Sequence, residues 1–387
     1  MARPDYTNSI VNLMSSIGRA FNERAEYKRA EYKELKQLPA KELKKSKNVV
    51  LMILDGLGYN YLISKDSRLK KNLRARITSV FPPTTASAIT TFMTGTAPQQ
   101  HALTGWFVHL KELGVVAKIL PFSPRVGGED FTNYKIKVEE ILDVECFSEK
   151  IKVSSYVIQH KKIVDSSYSK ANSKKSKRFS YNTFSGYLRQ ITKIIKSHHQ
   201  RKYIYAYWPK LDSIGHEYGI NSKKAEKHLQ EIDRKVIAFV KNIQNTNTTL
   251  IITADHGLID TPKEKLIKLE DHPKLKECLT LPLCGDARTV YCYVHPSKTK
   301  QFENYVETKL GKSCKLYKNY ELIKNNYYGL FKPNKKLIER IGDYVLIMKE
   351  NYVFKDNILK QKRDFHIGNH GGDSEDEMFV PLIVFNV

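Results

Sequence analysis

Apolar residues recur along this chain in short unbroken runs that end on an acid or a glycine, and that punctuation predicts a sheet. The run Val49-Val50-Leu51-Met52-Ile53-Leu54 has no polar alternation and passes straight into Asp55-Gly56. A β-branched-rich run without alternation is the pattern of a strand buried on both faces, as in the middle of a parallel sheet. Residues 203–208 repeat it before Pro209-Lys210-Leu211-Asp212, and 249–253 repeat it before Ala254-Asp255-His256-Gly257. Residues 378–385 form a last buried run. Helical spacing marks 179–199 and 223–243, and 9–35 reads as one or two amphipathic helices docked on the body of the protein.

The remaining stretches fill in the order. A strand over 75–81 stops at Pro82-Pro83, since prolines cannot join a central ladder, and a small-residue helix then runs over 84–93 to Gly95. Strands are expected at 115–120 and 151–157, and the Lys- and Ser-rich segment 161–178 reads as an exposed basic insertion. Within 261–354 strands at 289–295, 314–317, 344–349 and 352–354 alternate with helices at 298–310 and 319–326. The predicted fold is therefore α/β: a mostly parallel central sheet flanked by helices, with a smaller inserted α/β cap over 261–354. Residues 1–45 would be a helical extension, and 46–260 with 355–387 the main domain.

Composition narrows the class. A chain of 387 residues, 41% of them hydrophobic, buries a sizeable core. Its formal charge of +24 favours phosphate-bearing or polyanionic partners, with nucleic acid or an anionic membrane surface on the basic face as alternatives and plain solvated lysine as another. Cys146, Cys278, Cys284, Cys292 and Cys314 match no zinc spacing and read as reduced thiols. No apolar run approaches a membrane span and the first residues lack a secretory pattern, which points to the cytoplasm.

Chemistry gathers where the predicted strands end. Asp55, Asp212, His216, Asp255, His256 and His370 all fall just beyond strand ends or in glycine-flanked turns, where open α/β sheets bind ligands. Mixed Asp and His donors suit zinc or another first-row divalent ion, and two three-ligand sites leave positions open for substrate and water. Two such ions clamp both oxygens of an in-line phosphoryl displacement. Thr85 opens a helix, so it is either an N-cap or a hydroxyl facing an anion. Neither a P-loop nor an H-E-x-x-H helix is present.

Five segments in register carry a resemblance. Asp55-Gly56, Pro83-Thr84-Thr85 with Thr94-Gly95, Asp212-Ser213-Ile214-Gly215-His216, Ala254-Asp255-His256-Gly257 and Gly368-Asn369-His370-Gly371 resemble the alkaline phosphatase superfamily, and within it the type I phosphodiesterase and nucleotide pyrophosphatase family. The resemblance implies Thr85 as nucleophile, passing through a phosphothreonine. It implies one metal ion, Zn²⁺ or alternatively Mn²⁺, on Asp55, Asp255, His256 and Thr85, and a second on Asp212, His216 and His370. The substrate would be a nucleotide or another phosphate ester. A phosphomonoesterase, a phosphonate hydrolase, or a non-catalytic metal- or nucleic-acid-binding protein are the competing readings. One departure stands out: where the family has an asparagine on a phosphoryl oxygen, about 21 residues beyond the nucleophile, this chain has Trp106. Trp106 either stacks a base or belongs to the core, His101 or His109 could replace the missing donor, and Arg288 is a candidate anion contact from the inserted unit or else a salt-bridged turn residue.

Overall fold

The structure, a computed structural model, describes residues 2–22, 32–358 and 365–387. The strands of its central sheet are β1 (Asn48–Leu54), β2 (Leu73–Thr78), β3 (Ser154–His160), β4 (Ser176–Tyr181), β5 (Lys202–Trp208), β6 (Thr248–Thr253) and β7 (Phe379–Asn386). They lie side by side in the order β2-β7-β6-β1-β5-β3-β4. All seven residues of β1 are buried, as an apolar run without alternation requires, and β1 pairs in parallel with β5 on one side and β6 on the other. β3 and β4 continue the parallel set. The last strand, β7, runs antiparallel to both β6 and β2. It starts at the edge where the parallel strands end, so it has to run back.

Parallel neighbours need crossovers, and helices supply them. The principal helices are α1 (Ile10–Phe21), α2 (Thr85–Thr94), α3 (Phe184–Ile195), α4 (Lys210–Tyr218) and α5 (Lys223–Asn242). α1 starts where the Ser9 hydroxyl accepts the Val11 amide, and it buries every residue except Arg19. It packs on 40–43 and α2, inside the same core as β1. The helical expectation for 9–35 is thus met over α1; residues 23–31 lie outside the described residues, and 32–35 are not helical. α3 is shorter than 179–199 because Phe179 to Tyr181 belong to β4.

Two expectations are corrected. Residues 161–178 are not an exposed insertion: they contain a short helix (Ser167–Ala171) and the first half of β4, and Tyr168, Ser169, Asn172 and Ser173 are buried. Lys177 and Arg178 made the segment look solvated, but charged residues are what keep an edge strand from pairing with other chains. The smaller sheet is likewise not confined to 261–354. It runs Cys314–Lys318, Tyr344–Met348, Thr289–Cys292, Cys284–Gly285, Phe107–Leu110, Val115–Lys118, Ser123–Pro124, entirely antiparallel. Gly285 pairs with Phe107 across the join, a contact between distant segments that no local periodicity encodes.

Because α1 is part of the core, deleting its apolar contacts should be felt globally. Ile17→Ala is expected to destabilise the fold by about 2–4 kcal/mol in denaturant melts. A change within about 0.5 kcal/mol would mean that α1 is a dispensable appendage.

Candidate functional site

Register brings the acids together. β1 ends at Leu54 opposite Trp208 of β5, and Ile53 lies opposite Thr253 of β6, so the three strands release Asp55, Asp212 and Asp255 at one edge. The ladder continues past the strands: the Asp55 amide donates to the Trp208 carbonyl, and the Asp212 amide to the Asp55 carbonyl. Gly56 permits that approach, with φ +77 and with an added Cβ 3.0 Å from the Asp212 Cα. Gly257 is equally constrained, because a Cβ there would sit 1.9 Å from the Asp376 carbonyl oxygen.

Two triads result. In each, one donor atom per residue lies within 4.8 Å of the others: Asp55, Asp255 and His256 in the first, Asp212, His216 and His370 in the second. The first is fully buried. The rings of His256 and His370 stack with centroids 3.7 Å apart, which sets the triads side by side. Thr85, the first residue of α2, aims Oγ1 at His256 Nε2 from 3.1 Å.

The hydrogen bonds leave particular atoms over. Asp255 Oδ1 accepts the amides of Gly56 and His256, and Asp55 Oδ2 accepts the Tyr207 hydroxyl. The opposite oxygens, Asp255 Oδ2 and Asp55 Oδ1, are buried without a hydrogen-bond partner among the described residues, as are Asp212 Oδ1 and His370 Nδ1; His256 Nε2 lies 3.5 Å from the first two and His216 Nε2 3.3 Å from the third. Both His216 and His256 spend Nδ1 on a backbone carbonyl, of Gly368 and Gly257, so each turns Nε2 into the site. Buried polar atoms without partners are costly, and here they converge.

Charge makes the same point. Burial first, then the carboxylates of Asp255 and Asp212, push the Asp55 carboxyl well above its ordinary range, and burial also raises Asp212. Burial, with His256, His216 and His366 nearby, holds His370 well below the usual imidazole range and therefore neutral. The neutral His370, imidazole nitrogens turned inward and crowded carboxylates with atoms free of hydrogen bonds suit a divalent cation, so the residues fit two such ions.

The sequence model of the type I phosphodiesterase / nucleotide pyrophosphatase family matches residues 49–373. The chain belongs to that family. Human ectonucleotide pyrophosphatase/phosphodiesterase family member 5 is 29% identical over 185 residues, 43% of this chain and 33% of that protein, so the match spans about a third of the relative. Among solved structures, human ectonucleotide pyrophosphatase/phosphodiesterase 5 superposes with TM-score 0.67 at 18% identity, covering 87% of each chain. The murine protein gives 0.64 at 18% identity over 86% of this chain and 87% of its own. An inactive form of the murine protein in complex with AMP gives 0.64 at 19% identity, with the same coverage. The fold is therefore of this alkaline-phosphatase-like kind.

Other predicted contacts fare differently in this family member. Arg288 is not an anion contact: it is 1% exposed and pairs with Glu377 through Nε at 3.0 Å and Nη2 at 2.7 Å, while Nη1 donates to the Tyr352 carbonyl. Although burial raises the Glu377 carboxyl, the Arg288 charge and its hydrogen bonds hold it below its usual range. Glu377 also accepts the Gly372 amide, so this pair anchors the turn after His370. His101 uses both ring nitrogens, on Thr91 and the Leu103 amide, and His109 packs edge-on against Tyr293. Both nitrogens of His101 are thus committed within the core. Trp106 is half-buried, and its amide donates to Asp286 Oδ2 at 3.2 Å.

Three site residues escaped the sequence reading. Tyr207 looked like one more strand residue; only pairing shows its hydroxyl reaching Asp55. His366 lies four residues before His370 and faces His216 with ring centroids 4.5 Å apart. Asp286 stood beside Arg288 in the same turn, and its carboxyl is pushed up to about 6 by burial, opposed by the Trp106 amide and the adjacent Thr84 hydroxyl. The His366 spacing was the one signal available beforehand. All five cysteines are free and buried, away from both triads.

Two predictions follow from the crowding. Raised carboxyls bind protons more tightly folded than unfolded, so their ionisation costs stability that grows as pH rises through the raised pKa values. Zn²⁺ or Mn²⁺ should therefore raise the melting temperature of metal-stripped protein more at pH 8 than at pH 6; equal gains would exclude these acids as ligands. Tyr207→Phe should weaken metal binding about 10- to 100-fold in a chelator competition titration, since it removes the group that orients Asp55.

Proposed function

We propose that this chain is a metal-dependent phosphodiesterase acting on nucleotide-like phosphodiesters, with Thr85 as nucleophile and a phosphothreonine intermediate. The observation that carries the reading is the Thr85 hydroxyl, at a helix N-terminus and 3.1 Å from Nε2 of His256, a member of the first triad, whose ring stacks on His370 of the second. Asp55, Asp255 and His256 would hold one divalent ion, Zn²⁺ or Mn²⁺, and Asp212, His216 and His370 the other. When bound, such ions would favour the ionised hydroxyl and water and offset phosphoryl charge.

The chain's own groups do the rest. Thr84, the N-cap of α2, makes no side-chain cap, so first-turn amides of a ten-residue helix remain for an anionic oxygen. Thr85 Oγ1 forms a bond to phosphorus as the bond to the leaving alkoxide or nucleotide breaks, and the hydroxyl proton passes to solvent. Water then attacks the same phosphorus from the opposite side and restores Thr85. The rigid ends of β1, β5 and β6 hold the acids in place, so little reorganisation accompanies either displacement.

The relatives support a nucleotide substrate: the family is one of nucleotide pyrophosphatases, and a solved relative is in complex with AMP. They lend nothing to a nucleic-acid-binding surface. No helix among the described residues is long and apolar enough to cross a membrane.

The test is hydrolysis of bis-p-nitrophenyl phosphate by protein stripped of metal and reloaded with Zn²⁺ or Mn²⁺, beside Thr85→Ala. Turnover should return with metal and fall at least about 1,000-fold in the variant, whose circular dichroism and melting curve stay native. Turnover that survives Thr85→Ala would remove the phosphothreonine route, and none with either metal would remove the diesterase reading.

A further inference from the structure

Asp286 stands outside both triads, yet it is wedged into the wall of the site. It follows Gly285, the residue through which the smaller sheet joins strand Phe107–Leu110. The approach is tight: a Cβ on Gly105 would meet the Gly285 Cα at 2.7 Å and Asp286 Oδ2 at 3.1 Å. On its other side, a Cβ on Gly371 would lie 3.2 Å from the Asp286 Cβ. Asp286 thus touches the turn carrying His370, whose ring stacks on His256, the partner of Thr85. The Thr84 hydroxyl lies beside its carboxyl without a hydrogen bond of ordinary geometry.

Its bonding is that of a charge left for something else. Oδ2 takes the Trp106 amide at 3.2 Å, and among the described residues Asp286 forms no ion pair, whereas the buried acid Glu377 is matched by Arg288. It remains half-buried rather than sealed in the core. An acid with no cation of its own, next to a nucleophile that meets phosphate, imposes a repulsion on any anion placed there.

We propose that Asp286 sets the substrate charge: it disfavours dianionic phosphate monoesters beside Thr85 and so selects monoanionic phosphodiesters. A diester carries one negative charge, while a monoester, whose second pKa is about 6, carries nearly two at pH 8. Like charges a few ångströms apart in a site shielded from bulk water repel strongly enough to alter affinity tenfold or more. The Trp106 amide fixes the carboxyl in position, so the repulsion is built into the fold. This inference rests on the phosphodiesterase reading above and adds to it the class of ester that the site rejects.

The experiment compares wild type with Asp286→Asn, which keeps an oxygen for the Trp106 amide while removing the charge. With metal-loaded protein at pH 8, kcat/KM is measured for p-nitrophenyl phosphate and for bis-p-nitrophenyl phosphate. The monoester-to-diester ratio should rise about tenfold or more in the variant; a ratio within about twofold of wild type overturns the proposal. Should Asp286→Asn not fold, Asp286→Ser serves for the same ratio. Binding gives an independent readout: inorganic phosphate should bind the variant about tenfold more tightly and diethyl phosphate nearly as before, and equal changes for both overturn the proposal. If wild type turns over neither ester, the diesterase reading fails, and the binding comparison alone still decides the role of Asp286.

Discussion

Repulsion among buried carboxylates is the constraint around which this fold is arranged. Parallel strands end on the same side of a sheet, so β1, β5 and β6 cannot deliver their loops without also bringing Asp55, Asp212 and Asp255 together. Their exposures of 2%, 9% and 0% deny them water. Ionised acids so close and so dry are costly, and proteins meet that cost with protonation, hydrogen bonds or a cation. Hydrogen bonds satisfy half of the requirement here: Tyr207 holds one oxygen of Asp55, and two amides hold one oxygen of Asp255. The opposite oxygens stay open, so the unmet half of the electrostatics is also the binding site.

His370 poses a different problem, because it arrives on a turn rather than at the end of a parallel strand. The fold compensates with local ties. Ile259 and Asp260 pair with Gly368 and Asn369, Thr289 donates its hydroxyl to the Gly371 carbonyl, and Arg288 with Glu377 braces the segment that follows. Thr289 and Arg288 come from a strand of the smaller sheet and the residue before it, and Glu377 from the short helix Glu375–Met378 that leads into β7. That sheet therefore does more than cover the site: it fixes one wall, including a ligand candidate, against the sheet that supplies the rest. A buried Arg–Glu pair is costly to desolvate, but breaking one side of it is costlier still, which suits a brace.

How much of this could be read from the chain alone follows from what each feature depends on. β1, β5 and β6 were legible because burial on both faces leaves an unbroken apolar run, and Asp55, Asp212 and Asp255 because each comes within four residues of the end of such a run. His216 was legible because it stands four residues beyond Asp212, just after a strand end. β4 was not, since an edge strand guarded by Lys177 and Arg178 has the composition of a solvated loop. The smaller sheet was legible only in part, because Phe107–Leu110 and Cys284–Gly285 meet through a pairing that depends on tertiary structure. Arg288 stays ambiguous between an anion contact and a salt bridge for a related reason: a lone arginine in a turn carries no mark of the buried Glu377 that claims it. Tyr207 and Asp286 act through atoms that reach across strands, and sequence spacing does not record such reach.

The chain's charge takes on a different meaning once the site is seen. An excess of 24 positive charges suggests a surface that grips anions, yet the edge that carries the candidate site is built from acids, with the turn of the smaller sheet adding Asp286 nearby. The two facts act over different distances. Lysines spread over the surface raise the local concentration of any anion within about a Debye length, roughly 8 Å at physiological salt, without distinguishing one from another. Discrimination belongs to the few ångströms around Thr85, where water is scarce and each fixed charge counts for more. A basic exterior that gathers phosphate esters is thus compatible with an acidic interior that sorts them, and net charge by itself identifies neither the ester nor the reaction.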